Sequence, residues 1–189
     1  MTRMLLFAVV ASTAVSASTE AACSEQHRLA TNRFEIVIQS GSDEPASTGT
    51  YSVRITDRND TCVFAKLIAE RDGSIAKVWL SHLDEQSNSI DVVVWCISAG
   101  SGSYGSVDLY SIDRCGRIHQ TELEELTAVD GYMGHDRFFI DDYRLFREFP
   151  LYRPGDSNSS PTGGRAVFAL DYAASEWRKV NHPARDVEP

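Results

Sequence analysis

The run Ile90-Asp91-Val92-Val93-Val94-Trp95-Cys96-Ile97 leads into Ser98-Ala99-Gly100-Ser101-Gly102-Ser103-Tyr104, and then into Gly105-Ser106-Val107-Asp108-Leu109-Tyr110-Ser111-Ile112. The first part is apolar and β-branched from Val92 to Ile97 with no polar alternation. That is the pattern of a strand covered on both faces, and so central in its sheet. The last part alternates, with Val107, Leu109 and Ser111 on one face and Asp108, Tyr110 and Ile112 on the other. Between them lies a loop of glycines and serines that ends in one aromatic, Tyr104. Glycine reaches backbone angles that other residues avoid, so a tight protruding turn is cheap here. A tyrosine at such a tip combines a large contact area and a hydroxyl with low rotamer cost, which suits a recognition anchor.

Outward from this hairpin, further strand candidates come at short intervals: residues 33–39, 51–56, 62–68 and 75–81 before it. Turn signals separate them, including Gly41-Ser42-Asp43-Glu44-Pro45, Arg58-Asn59-Asp60 and Asp72-Gly73. Beyond the hairpin, residues 137–140 and 145–152 flank Asp141-Asp142-Tyr143 and read as a second hairpin. Residues 166–172 and 176–179 form a further strand pair, after a long loop over 153–164. Residues 121–126 read as a turn or two of helix with Glu122, Glu124 and Glu125 in solvent. Short strands with frequent turns predict an all-β fold, an antiparallel β-sandwich or barrel-like domain with a C-terminal β-hairpin extension. The expected division is a leader over 1–18, a β domain over 30–120 and an extension of unassigned role over 121–189.

The chain begins with a basic residue, Arg3, and an apolar core from Met4 to Val15, followed by small residues at Val15-Ser16-Ala17. This is the pattern of a cleaved secretory signal peptide, too short and too punctuated by Ser and Thr to span a bilayer. Export to the periplasm or beyond follows. A formal charge of −9 becomes −10 when Arg3 leaves with the leader. An acidic exported protein is poorly suited to nucleic acid or to insertion into an anionic membrane, and suits a basic partner. Four cysteines, Cys23, Cys62, Cys96 and Cys115, lie after the leader. Their even number and the export signal predict two disulfides. Three connectivities can be drawn, of which Cys96–Cys115 fits least: a turn centred near Ser103 sets Cys96 opposite Tyr110, and bridged Cα atoms lie within about 7 Å.

Ser101-Gly102-Ser103-Tyr104 resembles the Ser-Gly-x-Tyr motif of the periplasmic inhibitors of invertebrate-type (i-type) lysozyme. The similarity continues upstream through Thr50-Tyr51-Ser52-Val53-Arg54-Ile55, through Arg71-Asp72-Gly73-Ser74-Ile75-Ala76-Lys77-Val78-Trp79-Leu80, and through His82-Leu83-Asp84 into Asp91-Val92-Val93-Val94. It covers residues 33–112, and the flanking strands make it more specific than four residues alone. The resemblance implies that Ser101, Gly102, Ser103 and Tyr104 bind a partner by entering a lysozyme's substrate cleft. Such clefts hold two catalytic carboxyl groups, to which the Ser101 and Tyr104 hydroxyls can donate while Gly102 permits close backbone approach. It also implies a homodimer, though no feature of this sequence demands one.

Other chemistry is weakly supported. The segment His82-Leu83-Asp84-Glu85-Gln86-Ser87-Asn88 falls where the family tends to carry a calcium-like turn, but lacks the glycine and the alternating carboxylates. No Cys-x-x-Cys or compact Cys/His cluster occurs, so neither a metal nor another cofactor is expected. Gly134-His135-Asp136-Arg137 offers a histidine–carboxylate pair, and an envelope hydrolase using His135 and Asp136 is one alternative. It has no nucleophile in a strand–elbow–helix setting. The other alternative is an adhesion module that uses the Tyr104 loop on something else. Asn59-Asp60-Thr61 and Asn158-Ser159-Ser160 match glycosylation acceptors, a short and unspecific pattern. The expectation is a non-enzymatic, exported inhibitor of i-type lysozyme.

Overall fold

The computed structural model describes residues 25–59, 63–83, 89–98, 100, 102–126 and 128–181, with only the backbone of Val63 and Phe64. Twelve strands follow in order: β1 Gln26–Ala30, β2 Phe34–Ser40, β3 Thr48–Asp57, β4 Val63–Asp72, β5 Ser74–Ser81, β6 Ile90–Ile97, β7 Gly105–Ile112, β8 Ile118–Thr121, β9 Arg137–Asp141, β10 Arg144–Pro150, β11 Arg165–Asp171 and β12 Glu176–Lys179. They form three four-stranded antiparallel meanders, β1–β4, β5–β8 and β9–β12. Gly73 carries the chain from the last strand of the first sheet into the first strand of the second, with its carbonyl held by the Arg71 guanidinium.

The β5–β8 sheet is the middle layer because its inner strands, β6 and β7, carry buried apolar residues on both faces. Val92, Val94, Cys96, Tyr110 and Ile112 pack against Ile36, Ile38, Tyr51, Val53 and Ile55 of the first sheet. Val93 and Leu109 turn the other way, onto Phe138, Leu145 and Leu170 of the third. Aromatic rings span that second interface: Trp79 stacks on Trp95 at 6.0 Å, Trp95 meets Phe138 edge-on, and Phe138 lies against Trp177. The alternation assigned to β7 and the buried, interior position assigned to β6 both stand. The expected 141–143 hairpin is the β9–β10 turn, with Asp142 and Tyr143 both at positive φ. It is joined by β11 and β12, so the C-terminal part is a full sheet rather than a hairpin.

Several expectations change. Residues 121–126 are not helical: Thr121 ends β8, and the Glu124 N–H donates to Ser175 O at 3.0 Å, outside its own segment. Its leucines are drawn apart to serve packing, Leu123 toward Leu145 and Phe138, Leu126 toward Phe149. Strands β1 and β8 were not expected. The hairpin register differs from the expected one, since Ile97 pairs with Gly105 and Cys96 with Ser106 instead of Tyr110. Cys115 therefore lies well down the sheet from Cys96. Both carry free thiols, so neither takes part in one of the two expected disulfides; Cys96 is buried, and burial pushes its thiol up to about 12. Cys23, Cys62, the leader and residues 84–88 of the calcium-like segment lie outside the described residues.

One polar group sits inside the first interface. The Tyr51 hydroxyl, fully buried, donates to Asp108 Oδ2 at 2.5 Å and lies 2.5 Å from the Tyr110 hydroxyl. Burial holds the Asp108 carboxyl above its ordinary 3.8, partly offset by the Tyr51 bond. A raised folded pKa means the native state keeps a proton that the unfolded chain has lost, so native stability falls as pH rises from 3.8 to the folded value. In Asp108→Asn the amide oxygen still accepts from Tyr51 and no charge is buried. The variant's stability relative to the parent is expected to rise across that window and then level off. Urea unfolding from about pH 3 to about pH 7 checks this, and a difference that does not vary with pH rejects it.

Candidate functional site

The β6–β7 loop is pinned at its base. The Ser98 N–H donates to Tyr104 O at 2.8 Å, and the Tyr104 N–H donates back to Ser98 Oγ at 3.1 Å. Ser103 takes a φ of 44°, a strained angle for a residue with a side chain. Of the four sequence-predicted residues, Ser101 lies outside the described residues; Gly102, Ser103 and Tyr104 are brought together on this loop. Tyr104 is 51% exposed, so its ring is neither folded into the sheet nor free of support. One edge meets the ring of Tyr132, centroids 5.8 Å apart and planes at 76°. Gly102 makes room for that ring: a Cβ there would lie 2.5 Å from Tyr104 Cε2 and 3.1 Å from the Met133 carbonyl oxygen.

A second loop, residues 131–136, is bonded onto the first. The His135 N–H donates to Gly102 O at 2.5 Å. Gly134, at φ +87°, presses against that same carbonyl so closely that any side chain would collide with it. Behind them Asp136, 5% exposed, collects three donors: the Gly105 N–H at 2.9 Å, the Tyr132 hydroxyl at 2.5 Å and Arg147 Nε at 2.7 Å. Arg147 Nη2 donates to the Tyr132 hydroxyl at 2.8 Å, and its guanidinium lies over the rings of Tyr132, Phe138 and Phe149. Burial raises the Tyr132 phenol above its ordinary value, with the Asp136 bond adding to the effect. The phenol therefore stays protonated and donating.

This arrangement reassigns His135 and Asp136. The carboxylate is spent on Gly105, Tyr132 and Arg147, while the histidine ring lies 6.2 Å from that of Tyr152. Among the described residues no group of three His, Cys, Asp or Glu could hold a metal. Tyr132, Met133, Gly134 and Arg147 are the site residues that sequence reasoning missed. The available signal was Gly131-Tyr132-Met133-Gly134, two large side chains bracketed by glycines. Beside Tyr104 opens a cavity of about 470 Å³, lined by Val107, Leu126, Val129, Tyr132 and Trp177, with Glu124 and Glu125 at its lining too. A larger hollow of about 610 Å³ lies at the opposite end of the strands, around Thr31, Phe34, Leu80 and Arg114, away from the loop.

Asp136→Asn keeps the shape but leaves the largely covered Arg147 without its counter-charge. Removing one partner of such a pair is expected to cost roughly 3 kcal/mol of stability. Hydrogen exchange at the Gly105 amide should quicken by more than the global change, because its acceptor has lost its charge. Exchange measured by mass spectrometry, with unfolding on the same variant, checks both; a loop amide that stays as protected as the parent's rejects the brace.

The sequence model of one family, periplasmic lysozyme inhibitor of I-type lysozyme, matches residues 23–139. No curated protein matches the chain. Two solved structures are similar over about half of it. One is PliI-Ah, periplasmic lysozyme inhibitor of I-type lysozyme from Aeromonas hydrophyla, at 27% identity, covering 51% of this chain and 84% of that one with a TM-score of 0.47. The other is Aeromonas hydrophila PliI in complex with Meretrix lusoria lysozyme, at 30% identity, covering 51% and 81% with a TM-score of 0.47. The family match takes in the first two sheets, the Tyr104 loop, the loop that braces it and the start of β9, and on it the chain belongs to the family of periplasmic lysozyme inhibitors of I-type lysozyme.

Proposed function

We propose that this chain is an exported, periplasmic inhibitor of i-type lysozyme, and that residues 101–104 do the blocking by entering the enzyme's substrate cleft. Family membership supports the target, and the leader pattern over 1–18 supports the compartment. The observation that carries the loop assignment is Tyr104: half-exposed at the β7 end of a loop whose backbone is held at Ser98, Gly105 and Gly102. A lysozyme cleft carries two carboxyl groups, one acting as acid and one as nucleophile or stabiliser. Hydroxyls of Ser101 and Tyr104 donate to those groups and occupy the place of the scissile sugar. Inhibition then requires no chemistry from the inhibitor, only a shape held still. The acidic balance of the chain favours encounter with a basic enzyme.

The test compares inhibition constants with melting temperatures for loop variants, against i-type and other classes of lysozyme. Tyr104→Ala is expected to cost on the order of 2–4 kcal/mol of binding, because ring contacts go and partner groups are left unpaired. Ser101→Ala should cost about 1–2 kcal/mol, one hydrogen bond to a charged group. Gly102→Val displaces the Tyr104 ring from its seat and should weaken inhibition as much as losing the ring. Tyr104→Ala and Ser101→Ala should leave the melting temperature nearly unchanged. Undiminished inhibition by Tyr104→Ala sinks the loop assignment; a parent protein inactive against every i-type enzyme sinks the function.

A further inference from the structure

Among the described residues four large hydrophobic side chains are exposed: Ile68, Tyr104, Met133 and Tyr143. Tyr143 sits on the β9–β10 turn, at the far end of β9 from Asp136, and Ile68 is in mid-strand on β4. Only Tyr104 and Met133 fall on loops that are bonded to each other. Met133 lies between Tyr132, whose ring supports Tyr104, and Gly134, whose backbone is pressed on Gly102. Its carbonyl oxygen is within 3.1 Å of where a Cβ on Gly102 would be. With 42% of its surface in solvent, its side chain is held at the recognition end without being consumed by the core.

From this we infer that the 131–135 loop is a second recognition element, and that Met133 contacts the same lysozyme beside Tyr104. The inference rests on the inhibitor reading and deepens it. The two loops form one surface: the Gly102 carbonyl accepts from His135 at 2.5 Å, and Asp136 ties the first residue of β7 to Tyr132 and Arg147. Methionine and tyrosine are favoured at the core of protein interfaces, where charged side chains are depleted. An unbranched thioether adapts to an irregular partner surface. Glu124 and Glu125 beside the adjoining cavity give this apolar pair an acidic flank, which matches a basic enzyme rather than an acidic one. His135, at φ 59°, holds the loop in a strained turn, so Met133 is presented by geometry and not by chance.

The sequence supplies a site-specific probe. The chain has three methionines, and Met1 and Met4 precede residue 18, so a chain without the leader carries Met133 as its single methionine. Methyl-labelled mature protein gives one methionine resonance, to be titrated with an i-type lysozyme that the parent inhibits. That resonance is expected to shift or broaden in step with inhibition, and Met133→Ala to raise the inhibition constant about fivefold or more at an unchanged melting temperature. Tyr143→Ala, at the other end of the third sheet, should change neither. A resonance unmoved at full inhibition, or Met133→Ala inhibiting like the parent while Tyr104→Ala does not, overturns the second element and leaves the first standing. If Met133→Ala melts early, the titration of the parent protein decides. If the parent inhibits no lysozyme, the functional reading and this surface fall together.

Discussion

The middle sheet has no face that water can own, and the architecture follows from that. Val92, Val93 and Val94 are consecutive and all have no exposed surface, as do Leu109 and Tyr110. In a pleated strand, consecutive side chains point to opposite faces, so complete burial of three in a row requires cover on both sides. Each such valine or leucine contributes about 1.5–3 kcal/mol on burial. The first sheet covers Val92 and Val94, and the third covers Val93, Leu109 and the Trp79–Trp95 stack. Without the third sheet those residues would form an apolar face on an exported protein. Residues 137–179 are therefore the other half of a core that β6 and β7 begin, more than an appendage to a finished domain.

That much of the design was legible in β6 and β7. Their bounds and the two-sided burial of β6 follow from side-chain pattern, because the pattern records where water is absent; their register does not, since Cys96 faces Ser106 and not Tyr110. What covers each face was not legible, since a strand's sequence says that it is covered but not by which distant segment. The missed strands β1 and β8 show a different blind spot. Gln26-His27-Arg28-Leu29-Ala30 and Ile118-His119-Gln120-Thr121 lie at sheet edges, mostly polar and largely exposed. They are strands because a neighbour offers its ladder, Leu29 against Ile36 and Ile118 against Ile112. Such a reason lives in tertiary pairing and leaves little trace in hydrophobic alternation.

The candidate site was legible at Tyr104 and hidden beneath it. The Ser-Gly-x-Tyr stretch has the composition of a projecting loop, and Tyr104 on it is half-exposed. Its support comes from residues about 30 and 45 positions away in the chain, Asp136 and Arg147, through contacts no local pattern predicts. Adjacency also misled: His135 and Asp136 look like a pair because they are neighbours. With His135 at φ 59° the chain turns between them, sending the carboxylate inward to Arg147 and leaving the ring near Tyr152. Chemistry needs facing groups, and sequence neighbours seldom face each other.

A blocker that performs no reaction must avoid ordering itself at the moment of binding, because that ordering subtracts from affinity. Here it is done in advance. Ser103 and His135 both hold φ values that side-chained residues resist, 44° and 59°, and each strained turn is fixed by the other through the Gly102 carbonyl. The restraint reaches inward from there: Gly105 to Asp136, Asp136 to Arg147, and Arg147 onto Phe138 and Phe149 in the third sheet's packing. The described part of the loop is thus tied by hydrogen bonds to the core behind it. It follows that the core and the candidate recognition loop share one set of restraints. A change that loosens β9 or β10 without touching any exposed residue would lower affinity before it unfolds the protein, since the strained loop is the first part to relax when its support yields.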